Sequence, residues 1–277
     1  MSSAARKQSL PFVEADLNYA VATGEKPVSE TYGKDGLERR YTGRFEPRRV
    51  RIADARAITN TLSLDKEGFE LVGQQTRVAS FFDRHELETV YYPEMQSLIA
   101  ARTGARRVEI FDHTLRSGDA DARTVRKIRE PVKAVHNDYT EWSGPQRVRD
   151  LLGGEAETLL KKRFAIVQTW RAIGGDIARD PLAIADARSI DFRDFIPAER
   201  RFPDRVGEIY QLAFSAAHRW YYFPRMRRDE VLVFKVYDSE KDGRARFSTH
   251  SSFDDPTSPA DASPRESVEI RAFVFFD

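Results

Sequence analysis

Apolar and polar positions divide the chain into three textures. Over residues 1–80 the apolar positions are scattered among polar runs broken by Gly and Pro, as in "ATGEKPVSETYGKDG". That spacing predicts short strands or an extended arm. Within this part, "SLDKEGFELV" reads as a strand pair with its turn at Glu67–Gly68. Residues 81–163 open with "DRHELETVYYPEMQSLIAARTG", where Leu87, Val90, Tyr91, Met95, Leu98 and Ile99 recur at steps of three and four. This is one apolar helix face, and Gly104 is a fitting stop. "RRVEIFDHTLR" then alternates as a strand does. "SGPQRVRDLLGGEAETLLKKRF" offers Ser143 as a cap and Pro145 for a first turn, and predicts two short helices flanking Gly153–Gly154.

From residue 164 to 277 the texture changes. "RFAIVQTWRAI", "LAIADARSI", "EIYQLAFS", "RWYYF", "EVLVFKVYD", "ARFSTHSSF" and "ESVEIRAFVFF" are short, rich in β-branched and aromatic residues, and separated by turn signals. A succession of strands without intervening helices predicts a sandwich or barrel rather than alternating β-α units. The predicted architecture is mostly β with flanking helices: a double-sheet jelly roll in residues 164–277, helical support in 81–163 and an N-terminal arm with strands in 1–80.

Composition narrows the function classes. The chain has 277 residues, with 45 basic against 44 acidic side chains. A net charge of +1 gives no electrostatic case for nucleic acid as a partner. The absence of cysteine excludes disulfides, thiolate metal sites and cysteine nucleophiles, and fits a cytoplasmic protein. No apolar run approaches the roughly 18 residues that span a bilayer. The opening "MSSAARKQSLPF" lacks a signal-peptide core, so a complete, cytoplasmic chain is expected.

Without cysteine, a transition-metal site must be built from imidazole and carboxylate. Two His and one carboxylate on one face of a metal form the facial triad of non-haem Fe(II) oxygenases, which leaves positions open for co-substrate and dioxygen. "VHNDYT" contains His136 and Asp138, two residues apart, so in an extended strand both side chains point the same way. A third ligand must come from far along the chain, and His250 and His218 are the candidates. On the last predicted strand Arg265 and Ser267 share one face. An arginine there offers a rigid fork of donors to a carboxylate. Arg271 lies on the same face. Arg171, in the apolar run "VQTWRAI", must find a partner: a carboxylate of co-substrate or substrate, or a rim salt bridge to Asp186 or Asp238. His85 and His113 carry no partner signal, and no G-x-S-x-G supports a serine hydrolase.

The order His-x-Asp, several strands, His, a loop, then Arg-x-Ser resembles Fe(II)/2-oxoglutarate-dependent dioxygenases of the double-stranded β-helix fold. More narrowly, "VHNDYT", "VQTWRAIGGDIARDPLAIADARS", "HRWYYFPRMRRDEVLVFKVYDS", "ARFSTHSSFDDPTSP" and "PRESVEIRAFVFF" are similar to the hydroxylase/desaturase group related to the aspergillic acid pathway hydroxylase and the cephamycin methoxylation protein. The resemblance covers about residues 80 to 277. It implies that His136, Asp138 and His250 hold Fe(II) and that Arg265 or its rival Arg271 grips the distal carboxylate of 2-oxoglutarate. From the residues alone, His218 in the aromatic run "HRWYYF" reads first as a buried core histidine bonded to a neighbour, with lining of the co-substrate or substrate pocket as the alternative beside Arg171. The resemblance further implies oxygenation of a small molecule with dioxygen, by hydroxylation or desaturation, in secondary metabolism. A jelly-roll metalloenzyme without 2-oxoglutarate and a non-catalytic ligand-binding sandwich stand as alternatives.

Overall fold

The computed structural model describes residues 10–32 and 38–277. In chain order its strands are β1 (Phe12–Ala20), β2 (Val28–Tyr32), β3 (Glu38–Tyr41), β4 (Phe45–Asp54), β5 (Phe69–Gly73), β6 (Arg107–Ser117), β7 (His136–Asn137), β8 (Phe164–Ala172), β9 (Leu182–Ala185), β10 (Phe195–Arg201), β11 (Val206–Leu212), β12 (Trp220–Tyr222), β13 (Glu230–Asp238), β14 (His250–Ser252) and β15 (Glu266–Phe275). A five-stranded antiparallel sheet has the order β5-β13-β8-β15-β6. A ten-stranded sheet has the order β1-β4-β12-β9-β14-β7-β11-β10-β2-β3, with parallel pairs only at β4–β12 and β2–β10.

The five-stranded sheet is apolar on both faces, and β8 shows how one strand serves two cores. Phe164, Ile166 and Trp170 face Phe234, Phe273 and Phe275 together with Leu182, Ile184 and Tyr210 of the larger sheet. Ala165 and Val167 point the other way, among Val231, Val233, Ile270 and Val274. This second core is closed by helix: α1 (Arg84–Glu86), a π-helical turn at Leu87–Tyr91, and α2 (Tyr92–Thr103). Leu87, Tyr91, Met95 and Ile99 are fully buried against the sheet. Each contributes about 1.5–3 kcal/mol of burial. Gly104 ends the helix at φ 72°, and its N–H donates to Ala100 O. The remaining helices are α3 (Ala120–Arg126), α4 (Ser143–Leu152) and α5 (Ala156–Leu159). No helix among the described residues is long and apolar enough to cross a membrane.

Several sequence expectations change. Two of the amino-terminal strands are short, as expected, with five residues in β2 and four in β3, but β1 and β4 have nine and ten residues and pair along their length inside the ten-stranded sheet. Part of the polar run before β3 lies outside the described residues. The expected strand pair around Gly68 is a single strand, β5, preceded by a turn. Gly68 stands at φ 93°, and a Cβ there would clash with Ser248 Oγ. Ser143 is inside α4 rather than capping it. Thr140 Oγ1 accepts the Ser143 N–H (3.0 Å), while Ser143 Oγ donates to Glu208 O. Strand β10, "FIPAERR", was masked by Pro197. Strand β14 is only three residues long, and most of "ARFSTHSSF" is irregular. The sheet strands also begin well before residue 164, since β5, β6 and β7 take part in the sandwich.

Candidate metal centre

The two-residue strand β7 lies between β11 and β14, and this places the candidate ligands. His136 is directly opposite His250 in the antiparallel register. Directly opposed residues project to the same face, and the two imidazole centroids are 4.5 Å apart. Asp138 follows two residues later, with Oδ1 3.5 Å from His136 Nε2. One ligand atom from each of His136, Asp138 and His250 can be chosen so that all lie within 4.8 Å of one another.

Hydrogen bonding sorts the atoms of this group into held and free. The His136 Nδ1–H donates to Ala134 O at 2.7 Å and the His250 Nδ1–H to Ser248 O at 3.0 Å. A carbonyl can only accept, so each Nδ1 carries the proton and each Nε2 keeps its lone pair for a metal. Asp138 Oδ2 accepts from Arg271 Nε (3.0 Å) and Gln168 Nε2 and forms an ion pair with Arg271 Nη2 (2.9 Å), which leaves Oδ1 facing the imidazoles. Two imidazole nitrogens and one carboxylate oxygen make a donor set suited to Fe(II), with open coordination positions. Burial, reinforced by the neighbouring His250, lowers His136 to about 4, so it is neutral at pH 7. Burial by itself raises the Asp138 carboxyl, but Arg271, joined by His136, His250 and the Gln168 hydrogen bond, together outweighs it and holds the group well below the usual range.

The two rival arginines are both on the inner face of β15 but differ in their surroundings. Arg271 is saturated: besides Asp138 it donates to Asp112 Oδ2 (2.9 Å), Thr114 Oγ1 (3.0 Å) and Glu269 Oε2 (3.1 Å). Arg265, 2% exposed, donates only to neutral oxygens: Asp180 O (2.8 Å), Ser252 Oγ (3.2 Å) and Ser267 Oγ (3.2 Å). It forms no ion pair with a carboxylate among the described residues, and burial pushes its guanidinium down to about 10. Ser252 follows His250 by two residues on β14, on the same face, about 7 Å along the strand.

His218 and Arg171 are not brought to this group. His218 Nε2 is 3.1 Å from Asp194 Oδ2, its Nδ1 is 3.3 Å from Tyr19 Oη, and its ring stacks on Tyr19. It is a satisfied core histidine. Arg171 is on the outer face of β8, opposite in sense to Gln168, and faces the helix. It bonds Arg228 O (2.9 Å), Gln74 O (3.2 Å) and Gln74 Oε1 rather than Asp186 or Asp238. Those two aspartates are engaged by Arg188 with Arg219 and by Arg163 with Lys235. His113 Nδ1 pairs with Tyr92 Oη at 2.5 Å.

Sequence reading missed Gln168, Glu269 and Arg116. Gln168 touches the Asp138 carboxylate from β8. Glu269, held at about 2 by Arg116 and Arg271 against the opposing effect of burial, links the two arginines. The usable signal was the alternation of polar residues, 265-267-269-271, along one face of an otherwise apolar strand.

Comparison with known proteins agrees with this geometry. The family described as "Oxidoreductase/YMDC permease-like domain" matches residues 17–275. The hydroxylase/desaturase efuI of Hormonema carpetanum is 33% identical, over 96% of each chain. The hydroxylase/desaturase CTB9 of Cercospora beticola is 32% identical, over 96% of this chain and 88% of its own. The Fe(II)/2-oxoglutarate-dependent dioxygenase nvfI of Aspergillus novofumigatus is 33% identical, over 83% and 84%. The solved iron and alpha-ketoglutarate-dependent endoperoxidase NvfI superposes with a TM-score of 0.86 at 29% identity, covering 96% of this chain and 98% of that one. With its jelly-roll sandwich and His-Asp-His group, the chain belongs to the hydroxylase/desaturase family of Fe(II)/2-oxoglutarate-dependent dioxygenases.

Proposed function

We propose that His136, Asp138 and His250 bind one Fe(II), that Arg265 receives the distal carboxylate of 2-oxoglutarate, and that the enzyme hydroxylates or desaturates a small molecule of secondary metabolism. The observation that carries this reading is the pairing of a ligand set whose lone pairs are free with a buried cation that has no carboxylate partner, joined through two residues of β14. Bound Fe(II) with 2-oxoglutarate and dioxygen supplies an oxidant able to take a hydrogen atom from an unactivated carbon, while the co-substrate leaves as succinate and carbon dioxide.

The chain's own residues do the rest. Nδ1 donation to Ala134 and Ser248 fixes both imidazoles with Nε2 inward. Arg271 and Gln168 occupy Asp138 Oδ2, so the carboxylate offers one oxygen and does not fill a second coordination position. Arg265 orients the co-substrate from its far end, at a buried position where its charge is poorly screened. We also place all 277 residues in one dioxygenase domain, because β1–β4 hydrogen-bond into the sheet that holds β7 and β14. A cytoplasmic setting fits the absence of cysteine.

The test is anaerobic Fe(II) titration of wild type, His136→Ala and His250→Ala, followed by succinate assay in air. Tight one-to-one iron binding in wild type, lost in both variants, with iron-dependent succinate release, is expected. Unchanged iron affinity in both variants overturns the ligand assignment. Iron binding without any use of 2-oxoglutarate favours the jelly-roll metalloenzyme reading.

A further inference from the structure

Between the candidate ligands and Arg265 the inner face of β8 carries Gln168 and Trp170. Gln168 reaches Asp138, and Trp170 is under Arg265, whose Cζ is 5.0 Å from the ring centroid. The register sets both in the strip of β15 that joins the two arginines: Gln168 opposite Arg271 and Trp170 opposite Glu269. Trp170 is 1% exposed, and its Nε1–H has no hydrogen-bond partner among the described residues. A buried indole donor without an acceptor costs free energy. Buried Trp N–H groups generally find a partner; the indole of Trp220, for instance, donates to Tyr19 Oη at 2.7 Å. An unpartnered donor beside a cation whose acceptors are all neutral, both buried and on one inner face, marks a place for an anion.

We infer that Trp170 is a co-substrate-binding residue whose Nε1–H donates to the distal carboxylate of 2-oxoglutarate beside Arg265, so that the indole both supports the guanidinium and supplies a second, uncharged donor. This rests on the Arg265 reading above and adds to it. Arginine alone attracts any anion, whereas a fixed N–H at one depth also selects the chain length of the 2-oxo acid. A 2-oxo acid without a distal carboxylate has nothing for Trp170 to bind.

The experiment measures anaerobic binding to the Fe(II)-loaded enzyme through the visible charge-transfer band of a 2-oxo acid chelated to Fe(II). Two probes are used, 2-oxoglutarate and pyruvate, which lacks the distal carboxylate. Wild type, Trp170→Phe, Trp170→His and Arg265→Gln are compared, with thermal unfolding as a check of folding. Trp170→Phe keeps an aromatic ring under Arg265 and removes only the donor. It is expected to weaken 2-oxoglutarate binding about 10-fold, the loss of one hydrogen bond to a charged group. Pyruvate binding stays unchanged, and Trp170→His, which retains a ring N–H, recovers part of the loss.

Equal weakening of both probes overturns the inference, because the indole then acts through packing. An unchanged 2-oxoglutarate affinity in Trp170→Phe, with a large loss in Arg265→Gln, also overturns it and leaves the Arg265 reading intact; the orphan N–H is then met by an internal water only. Unchanged affinity in Arg265→Gln as well removes both.

Discussion

Arg265, just before β15, and Arg271, in the middle of it, are the two ends of one polar strip on the inner face; both are largely buried, and their environments are opposite. Around Arg271 the charges close on themselves: Asp112, Asp138 and Glu269 surround one guanidinium, and Glu269 passes the network on to Arg116. Around Arg265 the partners are a backbone carbonyl, two hydroxyls and an indole face. A closed network holds a ligand in place. A cation left without an anion holds a place for one. On the proposed reading of Arg265, this difference separates scaffold from binding site better than burial, which is nearly complete at both ends of the strip.

Substitutions can break this contrast. The largest effect is expected at the closed end. Arg271→Ala leaves carboxylates buried without their partner, a loss of about 3–5 kcal/mol of stability. Chemical denaturation measures it, and a loss below 1 kcal/mol would contradict the closed-network reading.

Next in size is Arg265→Gln. It is expected to weaken 2-oxoglutarate binding by about 2–3 kcal/mol, roughly 30- to 150-fold, as for loss of one buried partner of a charged contact. The melting temperature of the ligand-free protein is expected to stay level or rise, because an unpaired buried charge is removed. A fall in melting temperature comparable to that of Arg271→Ala would erase the contrast between the two ends.

Gln168→Ala removes one of the donors on Asp138 Oδ2. A drop in Fe(II) affinity of about 10-fold is expected, at the lower edge of what partners of metal ligands contribute. Competition with a chelator reads it, and an unchanged affinity would mean that Arg271 alone fixes the carboxylate.

A smaller effect concerns acid. Glu269 is lowered from 4.5 to about 2 in the folded chain. The unfolded state therefore binds its proton first as pH falls. The stability it contributes is fully present above pH 4.5 and is lost as pH drops towards 2. Glu269→Gln should flatten that part of the stability curve relative to wild type, measured by denaturation between about pH 5 and pH 3. An unaltered slope there would place the acid sensitivity elsewhere.

The least effect on the site is expected from His218→Asn, at the satisfied histidine. Iron and 2-oxoglutarate affinities should match wild type, at a stability cost of about 1 kcal/mol for the broken bonds to Asp194 and Tyr19.

Much of this was legible from residue order. The helix over 84–103 follows from Leu87, Tyr91, Met95 and Ile99 spaced by four, because a helix returns to the same face at that step. The long strands β8, β13 and β15 follow from dense apolar runs bounded by turns. Strand β10 carries no strand signal of its own, because Pro197 and the charged end "ERR" break its apolar pattern, whereas pairing with β11 and β2 makes it a strand. The His-x-Asp pair was visible at once, since these two candidate ligands are local in sequence. The third was not decided by local pattern, as His218 and His250 both sit beside aromatic residues.

What the sequence by itself determined is therefore the β-rich class, the supporting helix, the His136-x-Asp138 pair and the shared face of Arg265, Ser267 and Arg271. These depend on spacings of two to four residues, which the backbone converts directly into shared faces. The tertiary structure decided everything that depends on which segments meet. Pairing of β7 with β14 brought His250, not His218, to His136. The β8–β15 register set Gln168 opposite Arg271 and Trp170 beside Arg265. Arg171, one residue from Trp170, was turned to the other face. The physical reason is that strand registers are set by summed packing over two sheets, and a shift of one residue would exchange the faces of every side chain on the strand.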